Sequence, residues 1–164
     1  MNHFSHLDKA PKQYQKEYNK FKKIADKLDS TVEIYQVKAG FTVKKHAPLL
    51  GNCYQDFKYL QDWNFNDEPT KDCIVFWIPK IQGLNKTATE QEEMLKKEGC
   101  KFESASLQIG LILSHFKETR QRLPKDYNYV RTSIFRVDGY RLVAGGFDEN
   151  GLGCGFWHEG ASGS

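Results

Sequence analysis

Hydrophobic positions recur along this chain with two periods, one helical and one of two residues, and the switches between them mark its elements. From Pro11 to Leu28, apolar side chains fall at Tyr14, Tyr18, Phe21, Ile24, Ala25 and Leu28, on one side of a helix. Pro11 suits the first turn, and Asp29-Ser30 ends the pattern. Residues 31–43 nearly alternate and are rich in β-branched and aromatic side chains, which predicts a strand. A second helix is expected over 53–63, capped by Asn52 with Gln55 at the capping-box position, with Cys53, Phe57 and Leu60 as its inner stripe. The polar run 64–71 reads as a loop.

Residues 73–79 are continuously apolar and predict a central strand covered on both faces. Thr89-Glu90-Gln91-Glu92 reads as a capping box opening a short helix that Gly99 stops, with Met94 and Leu95 as its only apolar anchors. A long helix is predicted from Ser104 to Leu123, ended by Pro124. It is apolar on two sides, as a helix wedged into a core is. The last third alternates through 129–137, 140–147 and 152–158, broken at Asp138-Gly139 and Asn150-Gly151, which predicts a β-meander. A loose tail is expected over 160–164.

The expected fold is a single α+β domain over residues 1–164. Its antiparallel sheet has about five strands, including the C-terminal meander, and three to four helices pack on it. The 164 residues suffice for one core without metal or disulfide help. Cys53, Cys73, Cys100 and Cys154 form no CxxC pair, so free thiols are expected and no cofactor or metal is assigned. No basic-then-apolar leader opens the chain and no long apolar run follows, so a cytoplasmic protein without membrane contact is the expectation.

Charge adds a feature that the net value of +3 conceals. Residues 1–50 hold ten lysines against five acids, whereas residues 51–72 hold two lysines against five acids. Lys9, Lys12, Lys16, Lys20, Lys23 and Lys27 fall within about 80° of one another on the first helix, opposite its apolar side. Such a stripe can meet an acidic partner or a phosphate backbone. Being all lysine, it lacks the bidentate fork that reads base edges.

Parity along the meander groups Val130, Thr132, Ile134, Val143, Phe147, Leu152, Cys154 and Phe156 on a core face. The other face gathers Arg131, Ser133, Phe135, Tyr140, Leu142, Ala144, Gly146, Gly153, Gly155 and Trp157. Strand glycines often mark a close approach of ligand or backbone. Arg131, Tyr140, Gly146, Gly153, Gly155 and Trp157 are therefore a candidate ligand groove, with a packed helix as the alternative occupant. A two-residue Asp-Gly turn would set Arg136 opposite Arg141, with His158 at or diagonal to Arg141. These like charges repel unless an anion or a carboxylate lies between them, which makes the three a candidate anion site.

Catalytic constellations are poor. Cys154 and His158 resemble a nucleophile and base, but two strand residues four apart stand about 13 Å apart. His3 and His6 could share a metal only if the N-terminus were helical. No phosphate loop, dinucleotide fingerprint, nucleophile elbow or calcium loop is present. The sequence reading is a non-enzymatic binding or interaction protein, of the accessory, inhibitor or immunity-like kind, whose partner is another protein. The alternatives are a phosphate-ligand or nucleic-acid binder using the lysine stripe with Arg131, Arg136 and Arg141, and a Cys/His enzyme.

Overall fold

Among the described residues the chain forms twelve short elements, its strands in two three-stranded sheets rather than one sheet of five. The computed structural model describes residues 2–80, 85–125, 128–135, 138–158 and 160, with Phe135 described by its backbone. The chain is α+β and divides into two compact units. Unit 1 comprises residues 1–40 and 70–80, and unit 2 comprises residues 41–69 and 81–164.

Unit 1 is an antiparallel sheet with a helix. Strand β1 (Phe4–Leu7) pairs with β2 (Glu33–Val37), which pairs with β3 (Cys73–Trp77). The apolar run at 73–79 is thus an edge strand, and β2 is the central one. Ile34 and Tyr35, neighbours that point to opposite faces of β2, are both buried. A 3-10 turn (Lys12–Tyr14) leads into α1 (Gln15–Lys27), which ends where Asp29 takes a φ of 51°. Its apolar side meets the sheet through Phe76 of β3, whose ring centroid lies 6.0 Å from that of Tyr18 and 5.9 Å from that of Phe21.

Unit 2 opens on a helix that the sequence pattern did not predict. Helix α2 (Val43–Leu50) starts at the end of the expected 31–43 strand. The Asp67 carboxylate accepts from the N–H groups of Val43 and Lys44, both at 2.8 Å, and so caps it. The helix expected over 53–63 is instead a run of 3-10 turns (Tyr54–Asp62), and Asn52 makes no side-chain cap. Tyr54, Phe57, Leu60 and Trp63 recur every three residues, a spacing that suits 3-10 better than α geometry. Gln55, Asp56 and Phe57 adopt φ of 48°, 52° and 53°, left-handed values that side-chain-bearing residues rarely take. The expected inner stripe holds, since Cys53, Phe57 and Leu60 are buried.

Helix α3 (Ala88–Lys97) carries its capping box at Thr87 and Glu90, two residues before the expected one. Hydrogen bonding to the Thr87 N–H holds the Glu90 carboxyl below the usual carboxylate range. Helix α4 (Ala105–Thr119), capped by Ser104, is buried from Ile109 through Phe116, as a two-sided apolar helix should be. It stops before Leu123 because Arg120 turns left-handed at a φ of 62°.

The meander is β4 (Tyr129–Phe135), β5 (Tyr140–Asp148) and β6 (Gly151–His158), paired in order. Its register departs from simple hairpins. Asp148 pairs with Gly151, but from Gly145 onward the ladder has slipped by one, with Gly145 opposite Gly153 and Leu142 opposite Phe156. Gly146 sits in this irregularity with a φ of 57°. A one-residue slip exchanges faces, so Leu142 and Ala144 share a face with Val130, Cys154 and Phe156. Arg141, Val143 and Gly145 share the opposite face with Arg131, Gly153, Gly155 and Trp157. The expected faces of β4 and β6 therefore agree with each other, and those of β5 are inverted. Except for Gly160, the expected tail lies outside the described residues.

Candidate functional site

The lysine side of α1 is laid out as its spacing predicts. Lys12 in the 3-10 turn and Lys16, Lys20, Lys23 and Lys27 on the helix are all exposed, as is Lys9 before it. Lys22, off the stripe, pairs with Asp26 one turn on, and that contact raises its pKa.

Two of the meander arginines, Arg131 and Arg141, serve the fold. Arg131 is 3% exposed. Its Nη1 donates to Gln91 Oε1 of α3 at 2.7 Å and to the Lys86 carbonyl at 3.3 Å. Gln91 of α3 thus reaches this face at its arginine. Arg141 is 7% exposed. Its Nη1 donates to the Thr132 carbonyl at 2.9 Å, where the β4–β5 ladder is irregular. Its Nη2 meets Glu92 at 3.1 Å, and its guanidinium lies 4.6 Å from the Phe102 ring centroid. Glu92 is thus the carboxylate that meets Arg141.

The expected anion site does not assemble. Phe135, not Arg136, stands opposite Arg141, and Arg136 itself lies outside the described residues. His158 pairs with Tyr140, the neighbour of Arg141 that points to the other face, and the two rings meet edge-on at 5.4 Å. The slip at Gly146 causes this separation.

The expected ligand groove divides in the same way. Tyr140 is exposed at the strand end beside His158, away from Arg131's face. Trp157 packs on Tyr129 at 5.0 Å. Gly145 and Gly153 face each other in the ladder, and a Cβ on Gly145 would come within 2.1 Å of the Asn128 carbonyl oxygen. That close approach is to backbone, one of the two occupants glycines there allow. Gly146 and Gly153 do border a cavity of about 420 Å³, whose other walls include Tyr54, Tyr59 and Cys154.

The Cys154 N–H donates to Tyr59 Oη at 3.0 Å. Burial pushes both the Cys154 thiol and the Tyr59 phenol up, and pushes Cys53 up to about 12. A catalytic thiolate needs the opposite shift. At the N-terminus, His6 lies in β1 and bonds Glu33 at 2.9 Å. Extended chain sends residues three apart to opposite faces, so His3 and His6 are not juxtaposed as a helix would have them.

A larger feature of unit 2 is a groove that the sequence reading does not predict. A groove of about 1050 Å³ lies between the run Asp62–Glu68, the start of α4 and the strand residues Ser133 and Ile134. The run alternates exposed and half-buried residues, with Trp63, Phe65 and Asp67 turned inward. The Trp63 ring lies 5.1 Å from that of Phe156 of β6, tilted to it, and meets that of Tyr59 edge-on at 5.3 Å. Lys44 of α2 donates to the Trp63 carbonyl at 2.6 Å and stands 4.8 Å from the Phe65 ring centroid. The alternation of 62–68 was the available signal, but Asn, Asp and Pro made it read as plain loop.

Among the described residues, no helix is long and apolar enough to cross a membrane. No family model, curated protein or solved structure matches the chain.

Proposed function

We propose that this chain is a non-enzymatic binding protein that meets an acidic surface of another protein through the lysine side of α1. The observation that carries the reading is the exposure of Lys12, Lys16, Lys20, Lys23 and Lys27 along one side of an element whose other side is taken up by Phe76. A row of exposed ammonium groups steers an acidic partner and fixes its approach more than it supplies affinity. Two alternatives lose support. An anion binder built on the sheet arginines would need guanidinium groups that Gln91, Glu92 and backbone carbonyls already engage. Cys/His chemistry at Cys154 would need a lowered thiol pKa where burial raises it.

The test is purification of the chain from its host beside a variant carrying Lys16→Glu, Lys20→Glu and Lys23→Glu. A stoichiometric acidic protein is expected with the parent and absent from the variant. Nucleic acid released by high salt would replace the protein partner with phosphates. A bare monomer, or a partner that both forms retain, overturns the proposal.

A further inference from the structure

We propose that the groove of unit 2 binds a neutral oligosaccharide, a function separate from that of the lysine side of α1. At about 1050 Å³ the groove is at the upper end of small-molecule sites, with room for several sugar rings. Its apolar surface is aromatic, from the half-buried rings of Trp63, Phe65 and Phe156. Its polar surface is made of hydrogen-bonding side chains carried in alternation. Asp62, Asn64, Asn66 and Glu68 are exposed along one wall, and Ser133 and Asp138 are exposed on the strand side.

This composition selects among ligand classes. No Lys, Arg or His is among the described residues that line the groove, whereas Asp62, Glu68 and Asp138 are, so the described lining disfavours an anion. Asp62, Glu68 and Asp138 draw a cation, which makes a cationic ligand the competing class, although at the Phe65 ring that role is already taken by Lys44, bonded to the Trp63 carbonyl. What remains are ring faces beside carboxylates, carboxamides and hydroxyls. A pyranose presents matching groups. Its C–H face lies on an aromatic ring, its hydroxyls donate to carboxylates in charge-assisted bonds, and carboxamides both donate to and accept from them.

The test uses the ¹⁵N-labelled full chain and follows amide shifts on titration with cellohexaose, maltohexaose and chitohexaose, with tetralysine as the cationic comparison. At least one neutral hexasaccharide is expected to shift the amides of residues 63–66 and 133–134, with an affinity that salt barely changes. The double substitution Asn64→Ala/Asn66→Ala removes exposed amides only. It is expected to weaken binding about tenfold and leave the unfolding midpoint unchanged. Trp63→Phe should weaken binding further, with folding checked by the same midpoint. Three results overturn the proposal: no neutral probe shifts these amides at about 5 mM, a concentration generous for ligands of this size; tetralysine alone shifts them, in a salt-sensitive way; or the double variant binds as the parent does.

Discussion

The lysine stripe of unit 1 and the buried arginines of unit 2 use positive charge in opposite ways. Unit 1 holds ten lysines and no arginine, and its stripe lysines stand in solvent. Unit 2 holds all five arginines, and Arg131 and Arg141 are buried against carbonyls and α3. Side-chain chemistry explains the division. A guanidinium is planar, weakly hydrated and able to donate in several directions, so it can satisfy an interrupted ladder and a carboxylate together. An ammonium is compact and strongly hydrated, and works best where water still reaches it. Arg131 and Arg141 of unit 2 close the structure, whereas the stripe lysines of unit 1 are held out for contact.

The sharpest test of this contrast is removal of the charge that closes the structure. Arg141→Ala leaves the Thr132 carbonyl and Glu92 without their donor and is expected to cost about 3 kcal/mol in urea unfolding. Arg141→Lys should recover less than half of that, since an ammonium cannot reach both partners. Full recovery would erase the distinction between the two cations. Gly145→Ala follows, at about 2 kcal/mol, because its methyl group would meet Asn128 backbone, which cannot yield as a side chain can. By contrast, Lys16→Ala with Lys23→Ala should change stability by less than about 0.5 kcal/mol while reducing partner binding.

Thiol chemistry sharpens the same contrast. A maleimide at neutral pH should label the exposed Cys73 of unit 1 quickly, and Cys53 and Cys154 of unit 2 only after denaturation. Rapid labelling of Cys154 in the native protein would revive the enzyme reading. The smallest expected effect is at the start of α3. The Glu90 pKa is depressed in the fold, so its contribution is present above the ordinary carboxylate range and is lost as pH falls through the lowered value. The stability gap between parent and Glu90→Gln should therefore close on acidification.

The sequence disclosed what depends on neighbours along the chain. The amphipathic first helix, the doubly apolar α4 with its start at Ser104, and the three meander strands are local patterns, and all are present. What escaped depends on distant partners. Nothing near Val43 announces α2, because its cap is Asp67, twenty-four residues away. Faces on β5 were inverted because one residue of slip at Gly146 outweighs any alternation. That slip dissolved the anion site by sending His158 and Arg141 to opposite faces. The lysine stripe was legible because exposure asks for no partner, and the groove was not, because its walls come from segments some seventy residues apart.

The Asp67 cap also joins two segments into one opening event. Its carboxylate bridges the 62–68 run to the first turn of α2, and Lys44 returns a bond to Trp63. Neither segment can leave its place without stripping donors from the other, so they form a single cooperative fold unit in the sense of native-state exchange. The amides of Val43 and Lys44 should exchange with solvent at the rate at which that run detaches, slower than fraying of a free helix end. Anything that settles between the walls would slow them further, which makes these two amides remote reporters of an event in which they take no part.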